Sequence, residues 1–120
     1  MSKKPSLKTL QTKADKLLQQ LGRKTHTKCL TCGNPMYACH HYYPKKFCAS
    51  LRYDWKNLAP ICIGCHTSHH RAYNPEIHRV IGIKWGEERL EELWHKKRKP
   101  FPTPTRKYYE DIINRLEKVI

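Results

Sequence analysis

Cys29-Leu30-Thr31-Cys32 and Cys62-Ile63-Gly64-Cys65 form two C-x-x-C knuckles with residues 33–61 between them, and no other feature restricts the fold of this chain so tightly. Four thiolates at this spacing follow the logic of a tetrahedral zinc site in which each knuckle supplies two corners. One ion then ties both ends of the intervening segment to a single point. The chain needs such a staple. It has 120 residues, 38% of them hydrophobic, and a mean hydropathy of -0.83, so little apolar surface is available for burial. Disulfides are the competing use of the cysteines. The N-terminus, Met-Ser-Lys-Lys-Pro-Ser, has no apolar signal segment, and no run approaches the roughly 18 apolar residues of a membrane span. A cytoplasmic, reducing location without a membrane partner is therefore expected, and there thiolate ligation is favoured over bridging. Cys39 and Cys48 lie outside the knuckles and read as buried free thiols.

The chain carries 24 Lys+Arg against 10 Asp+Glu, a net charge of +14. A field of that size draws in polyanions, and its company with zinc-type cysteines points to nucleic acid rather than to a membrane surface or a merely solvated face.

Periodicity places helices at both ends. Leu7, Leu10, Ala14, Leu17, Leu18 and Leu21 recur at helical spacing, which predicts a helix over 6–21 capped by Ser6 and ended by Gly22, with a basic connector over 22–28. The cysteine-rich stretch has no sustained period and reads as short strands and loops around metal, with 36–43 and 58–63 as the arms of a hairpin. Beyond it, helices are predicted near 66–73, stopped by Asn74-Pro75, and over 76–83 and 87–97. Pro100, Pro102 and Pro104 break the chain before a last helix over 106–119, whose Tyr109, Ile112, Ile113 and Leu116 form a stripe suited either to the core or to a partner subunit. The expected fold is a small α+β domain: a basic amphipathic N-terminal helix and connector over 1–27, a zinc-knuckle core over 28–80 and a C-terminal helical extension over 81–120.

Between the knuckles stand His40-His41 and Asn57-Leu58, and His66 follows the second knuckle directly. A zinc ion that joins the knuckles also draws His40, His41 and His66 into one neighbourhood, which is the raw material of a second metal site. His70 stands one helical turn after His66 and is a further candidate ligand. Tyr42, Tyr43 and Trp55 flank this region, as core aromatics or as platforms for unpaired bases.

The order C-x-x-C, His-His, Asn-Leu, C-x-x-C-His resembles the zinc-knuckle branch of the HNH, or ββα-metal (His-Me finger), endonucleases. Leu51-Arg52-Tyr53-Asp54, then Asn57-Leu58 and Cys62-x-x-Cys65, resemble more closely the lambdoid phage Rap (NinG) recombination endonucleases, over about residues 28 to 95 and on through Tyr73 to Gly86-Glu87-Glu88. The phage endonuclease VII family shares the knuckle plan more distantly. The resemblance implies a ββα-metal core and a phage-encoded DNA endonuclease that hydrolyses phosphodiesters at branched or recombination-intermediate DNA. By the same analogy His41 is the general base, Asn57 braces the hairpin loop, His40 and His66 hold a catalytic Mg²⁺ or Mn²⁺, and Cys29, Cys32, Cys62 and Cys65 hold structural Zn²⁺. The chain departs from the Rap pattern at His40, where a small residue is usual, and from both families at His66, where asparagine is usual. Imidazole donors shift metal preference away from the hardest ions. Lys45, Lys46, Arg52, Arg71, Lys96, Lys97 and Arg98 are the cations expected on the phosphate backbone, with a salt bridge as the alternative for Arg52. Paired cleavage of a junction further implies a homodimer, joined through the N- or C-terminal helix. Two other functions use the same residues: a non-catalytic zinc-finger DNA-binding accessory protein, and an HNH nuclease acting on linear duplex.

Overall fold

A computed structural model describes residues 4–46, 48–71 and 75–120, and the side chains of all of these except 68–71. Among the described residues there are five α-helices and one two-stranded sheet, a small α+β fold.

Helix α1 spans Leu7–Thr25 and starts where Ser6 accepts a hydrogen bond from the Thr9 N–H at 3.1 Å. It buries Leu10, Ala14, Leu18 and Gly22, one residue per turn along one face. Gly22 does not end it. The helix runs on to Thr25, and the His26 N–H closes on the Gly22 carbonyl at 2.9 Å, so residues 22–25 are helical rather than part of a connector. Glycine is needed here for close approach: a Cβ at position 22 would lie 2.3 Å from the Cys39 Sγ.

Strands β1 (Ala38–His41) and β2 (Leu58–Ile61) pair antiparallel, with Ala38 opposite Ile61 and His41 opposite Leu58. Both are shorter than the expected arms, because the Asn57 side chain takes over the Tyr43 backbone and Ile63 already belongs to the next helix. Pro60 sits opposite Cys39, whose N–H and C=O point outward and are met by the Gln19 side-chain amide at 2.8 and 3.0 Å. The missing proline N–H therefore costs the ladder nothing, and the Gln19 amide blunts the outer edge of β1. On the other edge, the Pro60 carbonyl accepts from the Leu30 N–H at 2.8 Å. Two 3₁₀ turns, Ala49–Leu51 and Trp55–Asn57, carry the chain from β1 to β2.

Helix α2 (Ile63–Arg71) starts inside the second knuckle, three residues before the expected 66. Cys62 opens it: its Sγ lies 3.4 Å from the Cys65 N–H and its carbonyl accepts from the His66 N–H at 2.9 Å. Helices α3 (Pro75–Trp85) and α4 (Glu87–Arg98) meet at Gly86, whose φ of 88° only glycine adopts readily. Glutamates in the first turn of α4 and His95, Lys96, Lys97 and Arg98 in its last complement the helix dipole. Helix α5 (Arg106–Val119) is capped by Thr105 and lies alongside α1 in the same direction, with Arg106 on the Pro5 carbonyl and Glu117 facing Lys13.

Leu10, Ala14 and Leu18 of α1 and Tyr109, Ile112, Ile113 and Leu116 of α5 form one buried cluster with Cys39, Tyr53 and Leu58. The stripes that the sequence offered to a partner subunit thus bury each other within one chain. No described helix is long and apolar enough to cross a membrane.

Candidate metal centre and histidine cleft

The sulfur atoms of Cys29, Cys32, Cys62 and Cys65 all lie within 4.8 Å of one another. Three of the separations are 3.5 Å (Cys32 to Cys62), 3.9 Å (Cys32 to Cys65) and 4.0 Å (Cys29 to Cys65). A zinc–thiolate tetrahedron with arms of about 2.3 Å has edges of about 3.8 Å. The cluster therefore has the donor chemistry and the dimensions to hold a zinc ion. The first knuckle turns through Gly33, whose φ is 80° and whose N–H reaches the Cys29 carbonyl at 3.0 Å. Burial pushes the Cys65 thiol up to about 12. Burial also opposes ionisation of Cys29, but hydrogen bonds from Thr31 and the backbone outweigh it and leave that thiol lowered to about 6. Thiols packed this closely all ionise only against a cation. The two remaining cysteines are buried free thiols, as the spacing indicated, and burial raises Cys39 to about 11.

Beside the cluster lies an open cleft of about 460 Å³ lined by His40, His41, Lys45, Lys46 and His66, with Gln19, Ala38, Cys39 and Pro44. The local folding explains the gathering. β1 carries His40 and His41, the loop after it carries Lys45 and Lys46, and the knuckle delivers His66 on the first turn of α2. Tyr37, two residues after the isolated bridge that closes the first knuckle, sets its ring 5.6 Å from that of His66. No carboxylate among the described residues lines the cleft. Among the described residues the four cysteines are the group of three or more metal-binding side chains within mutual reach, so His40, His41 and His66 line the cleft without forming a closed three-ligand cage.

The His41 ring is fixed at one end: its Nε2 lies 2.9 Å from the Arg52 carbonyl oxygen. A carbonyl only accepts, so Nε2 carries the proton and Nδ1 keeps the lone pair. Burial lowers the His41 pKa, with Lys45 and Arg52 adding to the effect, so the neutral ring is the resident form near pH 7. The Arg52 carbonyl is itself held in place. The Arg52 guanidinium grips Asp15 of α1 through two bonds of 3.0 and 2.6 Å. Of the two roles open to Arg52 in the sequence, the ion pair is the one observed.

Asn57 is completely buried. Its Oδ1 accepts from the Tyr43 N–H at 2.9 Å, and its Nδ2 donates to the carbonyls of Tyr43 at 3.0 Å and Leu51 at 3.3 Å. One side chain thus closes the 43–51 loop onto the start of β2.

The other cations are dispersed. Lys96 pairs with Asp54 at 2.9 Å and Glu92 at 3.7 Å, Lys97 stands over the Tyr43 ring and Arg98 over Trp94. All three belong to α4 and none lines the cleft. Among the aromatics, Tyr42 stacks on His78 with ring centroids 3.9 Å apart, and Trp55 stacks on His26 at 5.4 Å. The side chains of His70 and Arg71, candidate ligand and candidate phosphate contact, lie outside the described residues, as does Tyr73.

Asp15 and Gln19 contribute to the site without having been singled out in the sequence. Asp15 is the one acid in α1, and its place on the helix face toward Arg52 was the available signal. Gln19 carried no signal, since an amide on an amphipathic helix reads as solvated. No protein-family profile, curated protein or solved structure matches this chain.

Proposed function

We propose that the chain is a zinc-stapled, metal-dependent DNA endonuclease of the HNH type, with β1, β2 and α2 as its ββα-metal core. The single observation that carries this is the gathering of His40, His41 and His66 with two lysines in one cleft, with the His41 ring anchored through Nε2. A general base must be neutral and held still beside the substrate, and His41 is neutral through burial, is held by the Arg52 carbonyl and lines the cleft. In the proposed step Nδ1 takes a proton from water as the water oxygen bonds to phosphorus and the P–O3′ bond breaks. Lys45 and Lys46 hold the flanking phosphates. Asn57 keeps the 43–51 loop closed, and Asp15 keeps the Arg52 carbonyl on His41. A divalent ion held by His40 and His66 would polarise the phosphate and neutralise charge on the leaving oxygen. Two nitrogen donors and no carboxylate suit Mn²⁺ better than Mg²⁺. In the cysteine cluster Zn²⁺ is structural. Branched or recombination-intermediate DNA as the substrate rests on the resemblance to the Rap enzymes. A homodimer for paired cleavage would use a surface other than the α1 and α5 stripes.

The test is nicking of supercoiled plasmid and of a synthetic four-way junction at matched salt, with Mn²⁺, Mg²⁺ or EDTA, for the parent and His41→Ala. Metal-dependent cleavage, faster with Mn²⁺ and lost in His41→Ala, is expected. Equal cutting by His41→Ala would remove the base, and no cutting under any condition would leave a zinc-knuckle DNA-binding protein. Equal rates on linear duplex and junction would refute the branched substrate.

A further inference from the structure

A second cleft, of about 490 Å³, opens on the β2 side of the sheet and shares no residue with the histidine cleft. Its walls carry His26, Lys28, Trp55, Lys84, Trp85 and Arg89, over a floor that includes Leu58 and Pro60 of β2. Among the described residues no acidic side chain lines it and none of its cations stands in an ion pair. Its flat groups come in two stacked pairs. The His26 and Trp55 rings lie 5.4 Å apart and 10° from parallel, and the Arg89 guanidinium lies 3.9 Å over the Trp85 ring. Both pairs are fixed in place: Arg89 donates to the Lys56 carbonyl at 2.9 Å, and Trp55 packs against the main core. Burial and the neighbouring Arg89 lower the His26 pKa, so this ring presents a neutral stacking face. Lys28 and Lys84 remain exposed.

We infer that this cleft binds single-stranded nucleic acid, its bases stacking on the His26–Trp55 and Arg89–Trp85 pairs and its phosphates meeting Lys28 and Lys84. The volume falls within the roughly 300–1,000 Å³ of small-ligand sites. Flat faces set in a recess reach unpaired bases, whereas the bases of a duplex are already stacked on one another. Exposed lysines without carboxylate partners supply the counterion-releasing contacts that a backbone requires. The inference goes beyond the hydrolytic proposal and stands if His41 cleaves nothing.

The decisive experiment titrates the intact, metal-loaded protein with labelled dT8, followed by anisotropy and by tryptophan emission. A hairpin duplex and inorganic polyphosphate serve as competitors. Tight binding with quenched emission is expected, with affinity about tenfold lower or worse in Trp55→Ala and near that of the parent in Trp55→Phe. Lys28→Ala/Lys84→Ala should flatten the salt dependence by roughly 1.4 in slope, about 0.7 for each lysine. Because these lysines are exposed, that variant keeps the parent melt and decides the question even if Trp55→Ala fails to fold. His41→Ala should bind dT8 like the parent, so the failure of cleavage and the failure of this site are separate results. Polyphosphate competing as well as dT8, an unchanged salt slope in the lysine variant, or parent-like binding by a folded Trp55→Ala protein would each overturn the inference.

Discussion

At the scale of single residues, the buried amide of Asn57 has the largest structural consequence for the site. It satisfies the buried Leu51 carbonyl and the part-buried N–H and C=O of Tyr43. Asn57→Ala removes all three bonds, and a buried group left unmet, as the Leu51 carbonyl would be, costs about 1–3 kcal/mol. A loss of about 1–3 kcal/mol in denaturant unfolding is expected, together with slowing of the proposed cleavage as the 43–51 loop loosens. Full stability in that variant would mean that the loop is held elsewhere. The outer cysteines give a second check. With its pKa raised to about 11 by burial, Cys39 is thiolate in only about one molecule in a thousand at pH 8. It should resist alkylation there, and modification should set in only as the pH climbs toward 11. Rapid labelling of Cys39 in the native protein at pH 8 would contradict its burial. The roles of these side chains were unevenly legible in the sequence. The four knuckle cysteines announced themselves by spacing. The hydrogen bond from His41 to a main-chain carbonyl and the part-buried pairing of Arg52 with Asp15 did not, because both join residues apart in sequence, through backbone in one case and an unremarkable helix face in the other.

At the scale of elements, the close crossing of α1 and β1 shows how a local signal can mislead. Glycine near the end of an apolar stripe normally marks a helix terminus, and Gly22 carries that signal. Tertiary packing reassigns it: the residue lies on the buried face and clears the Cys39 sulfur. Alanine there gains about 1 kcal/mol of helix propensity. It also drives a methyl group to within 2.3 Å of a short side chain that has little room to move. Overpacking of this kind costs about 1–3 kcal/mol. Gly22→Ala should therefore lower stability, and Cys39→Ala in the same chain should recover part of the loss, with a coupling of about 1 kcal/mol or more in the double-mutant cycle. Additive effects would show that the helix and strand separate freely. Elsewhere periodicity and structure agree: the last helix begins and ends where the pattern puts it, and α3 and α4 differ from expectation only at their ends. The short strands and 3₁₀ turns were the least legible part, since their bounds are set by Asn57, Gln19 and the knuckles rather than by alternation.

At the scale of the whole molecule, the apolar core is unevenly distributed. The α1–α5 face and the hairpin surface share one large cluster, whereas at the knuckles the buried group is Cys29, Ile61 and Cys62, with Cys65 against it. Even with Leu30 and Cys65 also packed against the small cluster of Ala59, Ile77 and Ile81, this is thin apolar support for that end of a chain with a net charge of +14. A structural zinc ion contributes about 10 kcal/mol or more of folding free energy, which is the order of a whole domain's stability. Because the α1–α5 cluster contains no knuckle cysteine, losing such an ion should nonetheless act at the knuckle end first. Chelation, or Cys29→Ser, should abolish amide-exchange protection over residues 28–36 and 62–67, while α1 and α5, whose contacts include no knuckle cysteine, exchange more slowly. The melt should lose its single sharp transition, and the proposed cleavage should vanish because His66 directly follows the second knuckle on α2. Protection that disappears uniformly would instead make the ion the keystone of the entire chain. A melt indifferent to chelation would leave four adjacent thiols with no architectural part to play.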